Sequence, residues 1–283
     1  MGKLFFTLII SLILSSCVVD RSFVFRFDNE EIIQLNNDQS GFYTVNLNLS
    51  KFIKQQQTML DGKSVESFKS LHLDTTIYFD NSLSTFVNNS LDSIEKEMFE
   101  GGNTLLQFQP SENRGIISIK LKFRDINQLR FQRTHIFNFI ENNITFILPL
   151  LFPTQEEQDI PQAINFDVLS PLKPADETKV VGINPVGAAF NLQISPGAIK
   201  NDLHDKLAFQ KILESDKSLQ VLKSISGNNE NIFYSSTFIL PKGIKSFKGT
   251  GAHFNSDKKM ITFKNSITEI LNNPRIFEFA IEY

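Results

Sequence analysis

The sequence predicts an α+β fold, with antiparallel sheets carrying helices packed on one face, divided into two units of similar size. Three observations predict it. Apolar residues alternate with polar ones at Tyr43, Val45, Leu47 and Leu49, at Ile117, Ile119, Leu121 and Phe123, and at Phe277, Phe279, Ile281 and Tyr283. That is the period of strands with one wet face. Val87, Leu91, Ile94 and Met98 recur instead at helical spacing, with Asp92, Glu95, Lys96 and Glu97 mostly on the other side. Thr154–Thr178 has no sustained period and holds Pro161, Pro171 and Pro174 beside the acidic run Glu156-Glu157-Gln158-Asp159, a linker's composition. The expected division is a leader over 1–16, a first unit over 17–152, a linker over 153–178 and a second unit over 179–283.

The leader is read from its own chemistry. Lys3 supplies a charged start, and Leu4–Leu14 is apolar except for Thr7 and Ser11. A helix needs about twenty apolar residues to cross a bilayer, so this run is too short to be a span and fits a removed export signal. Leu14, Ser15, Ser16 and Cys17 then match a lipobox: a branched apolar residue, two small residues and a thiol. Signal cleavage needs the small side chains, and lipid attachment needs the thiol. Cys17 is the single cysteine of the chain, so an internal disulfide is excluded.

The remaining elements follow in order. Phe23, Phe25, Phe27, Ile33 and Leu35 share one strand parity, and Asn36–Gly41 is a run of turn formers before the strand over Tyr43–Leu49. Ser50 is placed to cap a helix over Phe52–Leu60, and 61–73 reads as a loop. Thr75–Phe79 is a strand. Gly101-Gly102 ends the helix that holds Val87. Thr104–Gln109 and Gly115–Phe123 form a hairpin, and Asp125 caps a helix running to about Phe139. Ile144–Phe152 is apolar but short and contains Pro149, so it reads as a buried strand. In the second unit, Ala188–Ile194 is a strand, Asp202–Glu214 a helix and Ile232–Leu240 a long strand. Pro241–Gly251 is a turn-rich crossover, and Ser256–Lys259 is a tight turn into the strand Met260–Phe263. Ser266–Leu271 is a short helix stopped by Asn273-Pro274.

Composition narrows function without naming it. The formal net charge of −3 gives no case for nucleic acid. Phe is abundant, with 28 residues, and Trp is absent. An A/T-rich coding sequence explains this more simply than an aromatic-lined cavity does. There is no phosphate-binding glycine loop with its lysine, no His-Glu-x-x-His and no Gly-x-Ser-x-Gly. Asp202, His204 and Asp205 cluster, but acidic residues at the start of a predicted helix also complement its dipole, so no metal and no cofactor is expected. Lys120, Lys122 and Arg124 share a strand face and Arg130 and Arg133 follow on the next helix, a set suited to anionic lipid headgroups.

The run Tyr234–Lys245, the run Asn255–Phe263 and Asn272-Asn273-Pro274 before the final strand resemble segments of uncharacterised outer-membrane lipoproteins of Bacteroidota. Ser40-Gly41 leading into a strand, Ser50 with its helix, and Asp74-Thr75-Thr76-Ile77 are similar as well. The resemblance implies an outer-membrane lipoprotein and brings no catalytic residue with it. The expectation is therefore an exported protein, anchored through Cys17, that acts as a non-catalytic binding or scaffolding module close to the membrane. Its expected partners are the membrane itself and an envelope protein. The alternative is a carrier of a lipid or other hydrophobic ligand in a Phe-lined cavity, with an enzyme a distant third.

Overall fold

The computed structural model describes residues 28–59, 62–78, 100–133, 135–136, 190–203 and 232–283. The leader and lipobox, the helix expected at Val87–Met98, the apolar stretch Ile144–Phe152 and the linker lie outside these residues.

The first strands are β1 (Asp28–Leu35) and β2 (Gly41–Asn48). Asp38 closes the turn between them by accepting from the Ser40 amide at 3.0 Å and the Ser40 hydroxyl at 2.7 Å. Two short helices, α1 (Ser50–Met59) and α2 (Gly62–Lys69), lead to β3 (Leu73–Tyr78). The hairpin of β4 (Asn103–Gln109) and β5 (Arg114–Phe123) comes next. Asp125 then caps a helical run over 126–133, its Oδ1 accepting from the amides of Asn127 and Gln128. β6 (Phe190–Ser195) and β7 (Ala198–Leu203) are joined at Pro196-Gly197. Gly197 has φ 79°, the left-handed conformation that a Pro-Gly turn of this kind requires. The last segment contains β8 (Phe233–Ile239), β9 (Ser246–Lys248), β10 (Ala252–Phe254) and β11 (Met260–Ser266). It ends with α3 (Ile267–Asn272) and β12 (Phe279–Glu282).

These strands form two sheets. One has eight strands in the order β10-β11-β8-β1-β2-β5-β4-β3, and the other has four in the order β6-β7-β12-β9. Neighbours are antiparallel except β1 and β8, which run parallel with Asn29 opposite Tyr234 and Gln34 opposite Ile239. One face of the large sheet is apolar. It carries Ile33, Tyr43, Val45, Ile119, Leu121, Leu106, Phe238 and Phe263, all buried. The small sheet covers the β8–β11 part of that face. Phe279 stacks on Phe263 at 4.3 Å and meets Phe238 edge-on at 5.3 Å, while Phe277 meets Tyr234 at 5.1 Å and Phe190 at 5.4 Å. Edge-on and offset contacts at these spacings are the favoured arrangement of aromatic quadrupoles.

The α+β expectation is thereby corrected. The described residues are mostly strand and form two sheets, not helices packed on antiparallel sheets. Asp202 is held in β7 opposite Asn191 and does not start a helix. Ser246–Lys248, expected within a crossover, pairs with β12 and completes the small sheet. The reverse error occurs at 61–73, where α2 occupies what reads as a loop. The large sheet takes β1 to β5 from the first stretch and β8, β10 and β11 from the second. The alternation that marks each strand carries no record of which strand lies beside it.

Candidate functional site

β1 places Asn29, Glu31, Ile33 and Leu35 on the buried face of the large sheet. Glu31 is 1% exposed, so its charge needs a partner. The helical run over 126–133 supplies it. Arg133 grips the carboxylate with two nitrogens, Nε to Oε1 and Nη2 to Oε2, the latter at 3.1 Å. β8 supplies two more donors to Oε2, the Tyr234 hydroxyl at 3.3 Å and the Ser236 hydroxyl at 3.2 Å. Ser236 stands directly opposite Glu31 in the parallel register. The Tyr43 hydroxyl is buried beside the carboxylate without a well-formed hydrogen bond to it.

The electrostatics follow from this packing. Burial works against the Arg133 charge, and the adjacent Glu31 more than offsets it, so the guanidinium is held charged more firmly than usual. Burial first, and then the Glu31 charge, push both the Tyr234 and Tyr43 hydroxyls well above the ordinary tyrosine value. The carboxylate is saturated with donors, the guanidinium is fixed as a cation and both tyrosines stay neutral. Such a cluster holds segments together and offers no proton to a substrate. It ties β1, the helical run and β8, three segments far apart in the chain.

A second feature opens to solvent. A groove of about 590 Å³ is lined by Arg130, Asn191, Gln193, Ser195, Lys200, Ile194 and Ala198. Asn191, Gln193 and Ser195 line it from the outward parity of β6, whose other parity buries Phe190, Leu192 and Ile194, while Lys200 comes from β7 and Arg130 from the helical run. Lys200 is paired there with Asp202 at 2.6 Å.

The structure does not gather all of the residues expected to meet headgroups on one surface. Lys120 and Lys122 are exposed on the outer face of β5, with the Lys120 ammonium 4.4 Å from the centre of the Phe42 ring. Arg124 is exposed and lies 3.9 Å from Asp125. Arg130 opens onto the groove beside the small sheet, and Arg133 points inward to Glu31. Asp202 pairs with Lys200, and His204 and Asp205 lie outside the described residues. Among the described residues no three His, Cys, Asp or Glu side chains converge as metal ligands would. Leu14, Ser15, Ser16 and Cys17 are outside the described residues. Sequence reasoning missed Glu31, Tyr234 and Ser236 as a cluster. The available signal was parity, since Glu31 falls in step with Ile33 and Leu35.

No family model, curated protein or solved structure matches this chain.

Proposed function

We propose that the chain is an exported lipoprotein, held by acylated Cys17 to a bacterial membrane, the outer membrane by preference, and that its β-rich body is a non-catalytic binding module working at the membrane surface. The observation that carries the reading is the Leu14–Cys17 motif just ahead of the folded body. From Cys17 to the start of β1 at Asp28 the chain can extend no more than about 40 Å. The body is therefore kept in the layer next to the bilayer. Two further features support binding over chemistry. The buried ionic cluster is saturated by its own donors, and the open groove is lined mainly with amides, a hydroxyl and cations. The buried aromatic residues Phe190, Tyr234, Phe238, Phe263, Phe277 and Phe279 pack against one another, which favours this reading over a carrier with a Phe-lined cavity.

Cys17→Ser tests the anchor. The expected outcome is a shift from the membrane fraction to the soluble one, or stalled processing. A variant that matures and still pellets with membranes in high salt would remove the anchor from the reading. Mass spectrometry of what co-purifies with the natively anchored chain tests the binding role. A stoichiometric envelope protein supports the module, whereas a stoichiometric lipid would move the assignment to the carrier.

A further inference from the structure

The crossover Pro241–Gly251 and the turn Ser256–Lys259, with the residues between them, carry both charge and exposed aromatic surface. This stretch contains Lys242, Lys245, Lys248, Lys258 and Lys259 against one acidic residue of its own, Asp257, with Glu282 beside it accepting from the Ser246 hydroxyl at 2.8 Å, in a chain whose formal net charge is −3. All five lysines are exposed. Within the same stretch Phe247 is 47% exposed and Phe254 40% exposed, large apolar side chains left in water. The two rings touch, with centroids 4.6 Å apart. They come from different sheets: β9 is the last strand of the small sheet and β10 the last of the large one. Their contact brings two sheet edges side by side. The Ile244 amide donates to the Lys258 carbonyl at 2.9 Å, which joins the segment around Lys245 to the turn that carries Lys258 and Lys259. The product is an aromatic pair with Lys242, Lys258 and Lys259 exposed on the joined segments; Lys248 lies on the other face of β9 from Phe247, and the Lys245 ammonium donates to the Tyr283 carbonyl at 3.2 Å.

We propose that this surface docks on an anionic lipid bilayer, with Phe247 and Phe254 entering the headgroup layer and the lysines meeting lipid phosphates. Charge complementarity selects an anionic surface. The exposed aromatic pair selects one with an apolar interior, since a purely acidic partner would leave the rings in water. Each lysine near such a surface strengthens binding by about fivefold, and removing the ring pair weakens it by about tenfold or more. The inference deepens the membrane-proximal reading and rests on it for the identity of the surface. It names a contact different from the one expected at Lys120 and Lys122.

The test uses the full chain as purified from membranes, mixed with vesicles of phosphatidylcholine alone or with added phosphatidylglycerol. Flotation and the rate of lysine acetylation are read in both. Flotation with both kinds, together with about tenfold slower labelling of Lys242, Lys258 and Lys259 only on the anionic kind, is expected. Lys120 and Lys122 should stay reactive throughout. The double variant Phe247→Ser, Phe254→Ser should lose most of the protection while keeping its melting temperature, because both rings are about half exposed. Flotation with both kinds and no protection overturns the docking surface and leaves the anchor standing. Flotation only with anionic vesicles, with the lysines protected, keeps the surface and overturns the anchor; flotation with neither kind overturns both. Protection by soluble polyglutamate that equals protection by anionic vesicles and survives the double phenylalanine variant marks an acidic protein dock and also overturns the proposal.

Discussion

Removing the Arg133 guanidinium leaves the Glu31 carboxylate, 1% exposed, with two neutral hydroxyls as its partners. An uncompensated buried charge of this kind costs about 3–5 kcal/mol, so Arg133→Ala should lower stability by that amount in urea denaturation. Replacing both partners with apolar residues of similar volume, Glu31→Leu with Arg133→Met, should recover most of it, since a buried pair has little net worth over a packed apolar core. The two tyrosines separate by the same logic. Tyr234→Phe removes a donor to a charged acceptor and should cost about 1.5 kcal/mol, whereas Tyr43→Phe removes a buried hydroxyl without a well-formed hydrogen bond and should be neutral or stabilising. Alkaline unfolding follows from their raised proton affinity. The ordinary tyrosine value is 10.0, and the folded chain keeps both protons where the unfolded chain would release them. Their contribution is complete below that pH and is lost as pH rises above it. Stability measured by denaturation should fall above about pH 10, with a smaller slope in either Phe variant. Glu31 was legible only as a position on the inward parity. Sequence alone gives no way to see that Arg133, on a distant helix, arrives beside it.

At the scale of single elements, alternation was the reliable signal. Ile119 is 1% exposed and Phe279 4%, as their strand parities require. Ile119→Asp and Phe279→Asp should therefore each destabilise by more than about 3 kcal/mol in a thermal melt, while Lys120→Ala and Glu278→Ala change little. The short helix after β11 was also legible, because its start is local chemistry. The Ser266 hydroxyl accepts from the Glu269 amide at 3.1 Å, and the Glu269 carboxylate accepts in return from the Ser266 amide at 3.1 Å. Ser266→Ala removes half of that reciprocal cap and should cost about 1 kcal/mol. Gly41 carries a different constraint. A Cβ there would stand 1.8 Å from the Gln34 carbonyl oxygen, so Gly41→Ala should open the β1–β2 hairpin end and lower the melting temperature sharply. What failed at this scale were stretches whose partners decide their state. Ser246–Lys248 is a strand because β12 lies beside it, and Asp202 stays extended because Asn191 holds it across a hairpin.

Over the whole molecule, the parallel β1–β8 pair decides the architecture. The register runs from Asn29 with Tyr234 to Gln34 with Ile239, so the middle of the large sheet is closed by segments about two hundred residues apart. A chain truncated before Ile232 loses β8 to β12 and should aggregate or melt without cooperativity; a soluble fragment with a sharp transition would mean that the first stretch folds alone. Neither the parallel pairing nor a sheet that draws strands from both sides of the expected linker was legible, because both are facts about neighbours and not about periodicity. The same pairing has a consequence in time. A chain that emerges amino-terminus first, at about 5–20 residues per second, presents β1 with one open edge for roughly 10–40 s before β8 appears. An open, flat, apolar edge would recruit whatever strand came first. Glu31 interrupts that edge with an inward-pointing charge, a recognised guard against mispairing. The carboxylate that the finished core must neutralise keeps the unfinished edge waiting for Ser236, Tyr234 and Arg133.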